Sequence, residues 1–212
     1  MKIKEHHGYA NLDHKILRYL FRNPIFGLLS HWIFQGMLYM DPSERWFKLG
    51  IDLGITILVG SILTMRFSRE SAFLMAFILA HTSNFLFNGH LWATLRYYGM
   101  AGLNYDKFEN YHRELSKRLY SESSVVYAAV YGSLVRDEWG HQSDLDIRLV
   151  RSPGFMSCMR ACIFVLLERT RALLSAFPLD IYVLDDFKGL HKLRDDEIPR
   201  IIKNDEEYIA SD

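Results

Sequence analysis

Two aspartates one residue apart, Asp144 and Asp146, open the apolar run "DLDIRLV", ten residues after a Gly-Ser pair, Gly132-Ser133, that closes "VVYAAVYGS". On an extended strand residues i and i+2 share a face, so the two carboxylates project together while Leu145 and Ile147 point to the opposite side. Two like charges in one small space resist joint ionisation unless a cation neutralises them. Mg²⁺ is suited to that task, because it binds through one or two carboxylates plus substrate phosphates. Gly132, lacking a Cβ, lets backbone approach a phosphate, and Ser133 can donate to it from hydroxyl or N–H. The chemistry predicted is metal-assisted work on a phosphate. The alternative is the polar face of an ordinary edge strand.

Other chemistry-bearing residues are more ambiguous. Asp180 in "FPLDIYVLDD" is a third carboxylate on an apolar run, with Asp185 and Asp186 close behind it. Arg136 could reach a phosphate or could be a surface arginine. His81 and His90, with Asn84 and Asn88, could line a headgroup pocket, although hydrogen bonds between paired helices are the simpler account. His6-His7 and Asp195-Asp196-Glu197 read as solvated groups. Cys158 and Cys162, four apart on one helix face, would be small apolar residues rather than a zinc or disulfide pair, which points to a reducing setting. No Walker-type loop, zinc signature or serine hydrolase elbow occurs. Lys plus Arg number 25 and Asp plus Glu 25, so net charge is zero and no global field favours a polynucleotide partner.

The elements that must position these groups fall into two regions. Residues 1–100 read as a helical, membrane-associated region, strongly apolar from Ile51 to Trp92, with candidate membrane spans at 49–65 and 72–92 joined by "RFSRES". Each approaches the roughly 20 residues that cross a hydrocarbon core. Asp52, His81, Asn84 and Asn88 weigh against lipid, and a buried helical pair in a soluble protein is the competing account. Ile25 to Met40 reads as an interfacial amphipathic helix. Arg18, Arg22, Arg45, Lys48 and Arg96 would hold both ends of the hairpin on the cytoplasmic side, with Arg66 and Arg69 in the connecting loop opposing that orientation.

Residues 101–212 read as a small α/β unit. An amphipathic helix at Tyr105 to Tyr120 precedes a strand ending in Gly-Ser. Then come the strand "DLDIRLV", a helix from Phe155 to Phe177 and a third strand "PLDIYVLDD". A turn and a terminal helix over "DEIPRIIKNDEEYI" complete the expectation. A chain starting near Tyr105 would then be soluble, and the full chain membrane-bound.

The stretch "YGSLVRDEWGHQSDLDIRLV" resembles the nucleotidyltransferase superfamily of DNA polymerase β type, especially its minimal and antibiotic-modifying members. The shared pattern is an apolar residue, Gly-Ser, a spacer, then Asp-apolar-Asp, and it covers the chain from about Tyr120 onward. The resemblance implies an α+β nucleotidyltransferase fold, a small mixed sheet flanked by helices, behind an all-α N-terminal hairpin. It implies that Gly132 and Ser133 hold the triphosphate of an NTP, ATP being the first choice. Asp144 and Asp146 would bind Mg²⁺, with two ions expected, and Asp180 would join them and activate the acceptor hydroxyl.

Three functions then compete. The first is transfer of a nucleoside monophosphate to a small or lipid-linked acceptor, at a membrane and facing the cytoplasm. The second is adenylylation of a partner protein, as in minimal nucleotidyltransferase antitoxins. The third is a nucleotide-binding scaffold without turnover.

Overall fold

The computed structural model describes residues 23–100, 102–136, 138–141, 143–192 and 198–205. Arg18, Arg22, His6, His7 and the Asp195-Asp196-Glu197 run lie outside them.

The helical region begins with α1, Pro24–Phe34. Proline preorganises its first turn and Asn23 caps it by accepting the Ile25 N–H at 2.9 Å. α2, Pro42–Leu63, and α3, Arg69–Phe87, follow as an antiparallel hairpin. Ala72, Ala76 and Ala80 are all fully buried along one stripe of α3, where small side chains let the two backbones approach closely. The outer surfaces are apolar and exposed, as at Leu53, Ile57, Leu58, Leu74 and Ile78. With 22 and 19 residues and mean hydropathies of 1.6 and 1.2, both helices are long and apolar enough to cross a membrane. The second is shorter than 72–92 suggested: it ends at Phe87, and His90 belongs to the linker before α4, Leu91–Tyr97.

The second region opens with α5, Tyr105–Ser121, capped by Asn104, which buries Phe108, His112, Leu115 and Leu119 on one face. Four strands follow: β1 Val125–Tyr131, β2 Leu145–Arg151, β3 Leu179–Leu184 and β4 Arg200–Asn204, with α6, Phe155–Leu174, between β2 and β3. The sheet is mixed, in the order β3-β2-β1-β4. β1 is antiparallel to β2 and β4, and β2 is parallel to β3. Every residue of β1 is buried, as a central strand requires. Leu145, Ile147, Leu149, Ile181 and Val183 form one core with α5 and α6. The terminal helix expected over "DEIPRIIKNDEEYI" is corrected: Arg200–Asn204 pairs with β1 as an edge strand. The β-branched pair Ile201-Ile202 was the missed signal.

A network of buried polar contacts joins the hairpin to the sheet. Glu44 on α2 accepts the Val183 N–H at 2.8 Å, satisfying a donor on the open edge of β3. It also lies 2.6 Å from Arg169 of α6, with side chains 2% and 1% exposed. Arg169 donates to Asn88 Oδ1 at 2.9 Å and to the Ile181 carbonyl. Lys48 Nζ donates to the Gln35 and Asn88 carbonyls. Deeper in the hairpin, Asp52 accepts from Asn84 at 2.8 Å and lies 2.7 Å from His81 Nδ1. Of the polar residues that weighed against lipid, Asp52, His81 and Asn84 are therefore joined to one another between the helices and Asn88 is held by Arg169 and Lys48, so their desolvation is compensated.

Candidate active site

Strand register gathers the acidic groups at one end of the sheet. β1–β2 pairing sets Tyr131 opposite Asp146, and β2–β3 pairing sets Asp146 opposite Asp180. Paired residues share a face, so both carboxylates lie on the side of the sheet away from α5 and α6. Asp144 immediately precedes β2 and is half-buried. β2 is a central strand, not the edge strand of the alternative account.

Gly132, directly after β1, has φ +78°, and a Cβ there would stand 2.1 Å from Asp146 Oδ2. Both the positive φ and the close approach require glycine. Ser133 is the middle residue of the short 3-10 turn Gly132–Leu134, with its Oγ buried and unpartnered. The spacer returns to β2 through Gly140–Ser143, where Ser143 Oγ accepts the Gly140 N–H at 2.9 Å. Arg96 of α4 donates to the His141 carbonyl, fastening this loop, and its buried guanidinium stands near enough to Asp144 to feel that charge. Arg136 pairs with Glu138 at 2.9 Å and is partly exposed.

Asp180 is held from two sides. His90 Nδ1 is 2.6 Å from Oδ1, and Arg148 Nη2 donates to Oδ2 at 3.2 Å. The His90 ring stacks on Tyr182 with centroids 4.8 Å apart, and the Arg148 guanidinium lies 4.7 Å from the same ring centre. The loop after α1 reaches this place too: a Cβ on Gly36 would meet Tyr182 Oη at 3.3 Å.

The electrostatics separate the carboxylates. Burial pushes Asp146 well above the usual carboxylate range, and the neighbouring charges of Asp144 and Asp180 push it further. Burial also acts to raise Asp180, but Arg148 and His90 overcome it and hold that group well below the usual range. The two environments thus differ: that of Asp146 disfavours its charged form, and that of Asp180 favours the carboxylate. His90 is pushed down to about 4 by burial and by Arg169, against the pull of Asp180. At neutral pH the His90 imidazole is therefore uncharged beside the carboxylate.

Among the described residues no three His, Cys, Asp or Glu side chains form a ready-made metal cage. Asp180 turns both oxygens to cationic or N–H partners, which leaves Asp144 and Asp146 as the hard-oxygen pair. That donor set fits Mg²⁺, which completes its shell with water and phosphate oxygens. The repulsion from Asp144 and Asp180 that adds to burial in disfavouring the Asp146 charge is what a divalent cation would relieve.

The spacing of Gly132, Ser133, Asp144 and Asp146 led directly to this cluster. His90, Arg148 and Arg96 were missed as site residues. Arg148 carried a signal, because it is the next residue on the Asp144 and Asp146 face of the strand. His90 was singled out for a headgroup pocket and Arg96 for hairpin orientation, and only the folded linker brings them to this cluster. Comparison with protein-family models, curated proteins and solved structures returns no match.

Proposed function

We propose that this chain is a Mg²⁺-dependent nucleotidyltransferase built on a polymerase β-type fold. It moves a nucleoside monophosphate from an NTP, ATP first among them, to a small or lipid-linked acceptor at a membrane. The carrying observation is the Gly132 turn closed against Asp146, with Asp144 beside it and Asp180 in register. In this mechanism Gly132 and Ser133 hold the triphosphate, while Asp144 and Asp146 hold Mg²⁺. Bound Mg²⁺ supplies Lewis-acid neutralisation of charge on the phosphate oxygens. The acceptor hydroxyl oxygen forms a bond to the α-phosphorus as the bond to the bridging α–β oxygen breaks. Pyrophosphate leaves, and the hydroxyl proton passes to the Asp180 carboxylate, which Arg148 and His90 keep ionised and oriented.

The lipid-linked acceptor is supported by the position of His90. This residue touches Asp180 and lies three positions beyond the last residue of α3. If α2 and α3 lie in a bilayer, the acidic cluster sits close above its surface, facing the cytoplasm where NTP and Mg²⁺ are found. Incubating the full chain in membranes with α-labelled NTPs and Mg²⁺ tests the proposal. Label is expected in the lipid or small-molecule fraction. Label on protein would favour the adenylylation alternative, and no transfer from any NTP would leave only the nucleotide-binding scaffold. Sedimentation without detergent tests the tether: the full chain should pellet with membranes, and a soluble monomer would remove the lipid from the proposal.

A further inference from the structure

At the opposite edge of the sheet, three strand spacings or about 14 Å from β3, lies a second concave feature. α5 and β4 enclose a groove of about 460 Å³, lined by His112, Ser116, Lys117, Tyr120, Arg200 and Ile201. This volume is in the range of small-molecule sites. His112 is 6% exposed, and its Nε2 is buried without a hydrogen-bond partner, as is Ser116 Oγ. Glu109 stands 3.9 Å from its Nδ1, beyond hydrogen-bond length. Buried polar atoms of this kind are costly unless a ligand or water satisfies them. Among the described residues no acidic side chain lines the groove, whereas Lys117 and Arg200 do, and the exposed side chains of Ile201 and Tyr120 form an apolar wall.

We propose that this groove is a binding site for a water-soluble organic anion, a phosphate or carboxylate carried on a flat apolar body. The oxyanion meets Ser116, His112 and Arg200, Lys117 adds long-range attraction, and the body lies on Ile201 and Tyr120. A lipid is the wrong occupant, because the apolar hairpin is joined to the β3 edge and the groove opens at the β4 edge. The site stands independently of the proposed transfer reaction.

Calorimetric titration of the full chain in nanodiscs with phenyl phosphate, benzoate and benzyl alcohol tests it. One or both anions should bind saturably, at about 1 mM or tighter as suits so small a probe, and benzyl alcohol at least tenfold more weakly. The tighter of the two anions identifies the head group. Arg200→Ala, an exposed position that should not disturb folding, is expected to weaken anion binding about tenfold, and Ser116→Ala several-fold. Absence of saturable binding by both anions, equal binding of benzyl alcohol, or unchanged affinity in Arg200→Ala would each overturn the proposal.

Discussion

His90 Nδ1 stands 2.6 Å from Asp180 Oδ1, so a linker residue just past the apolar hairpin grips the carboxylate opposite Asp146. Neither residue can shift without the other, because His90 is also stacked on Tyr182, two residues along the same strand. His90→Ala should therefore lower transfer by about 10²-fold, the scale set by misplacing a reacting group by about 1 Å. His90→Gln, which can still donate to the carboxylate, should recover part of the loss. Steady-state rates at saturating NTP measure it, and equal rates in the alanine variant and wild type would refute a positioning role.

Replacing a carboxylate of the repelling pair has opposite effects on stability and activity. Asp146→Asn keeps the shape of a side chain whose charged form burial, Asp144 and Asp180 all disfavour. The melting temperature without Mg²⁺ should stay level or rise, and added Mg²⁺ should raise it less than in the wild type. Transfer should fall on the order of 10³-fold or more, because metal neutralisation is worth several kcal/mol. Asp144→Asn should behave alike in activity.

Arg169 joins α6 to Glu44, Asn88 and the Ile181 carbonyl inside the protein. Arg169→Met leaves the Glu44 charge buried without its cation, which should cost about 3–5 kcal/mol. Arg169→Met with Glu44→Gln should be less destabilised than Arg169→Met alone, since glutamine can still accept the Val183 N–H. Denaturant unfolding in detergent compares the two, and a double variant no better than the single would refute the charge argument. By the same contacts, a chain starting near Tyr105 would expose the Val183 N–H and strand Arg169, so it should fold poorly rather than be the soluble domain the sequence suggested.

Asp185 carries a pH dependence. Its carboxylate accepts the Ser43 N–H at 3.2 Å in the first turn of α2 and the Arg151 Nε–H at 2.9 Å. Burial alone would raise its pKa, but the Ser43 and Arg151 contacts prevail and lower it. A depressed folded-state pKa means the unfolded chain binds the proton more readily. The contribution is therefore full above the ordinary carboxylate range and disappears as pH falls through the depressed value. Asp185→Asn should reduce stability at pH 7 and flatten the acid limb of a stability–pH curve. Thermal unfolding between pH 3 and pH 7 checks this, and parallel curves for variant and wild type would contradict it.

What the sequence determined by itself was local and periodic. The i, i+2 spacing placed Asp144 and Asp146 on one face, the apolar runs gave two long helices, and the position of Gly-Ser after a β-branched strand marked the turn. Each follows from backbone geometry over fewer than about twenty residues. The ends of the hairpin helices were less legible, because the apolar run continues past Phe87 while the helix stops at Asn88. β4 was misread because a five-residue edge strand gains its stability from pairing with β1, which a local pattern does not register. Which residues grip Asp180 was decided by tertiary structure, although Arg148 shares the Asp144 and Asp146 face of its strand. Arg148 reaches it across the parallel pairing of β2 and β3, and His90 is brought from 90 positions away by Glu44, Asn88 and Arg169 closing over the β3 edge. Such contacts depend on which faces and edges bury one another, and the spacing of residues along the chain carries no record of that choice.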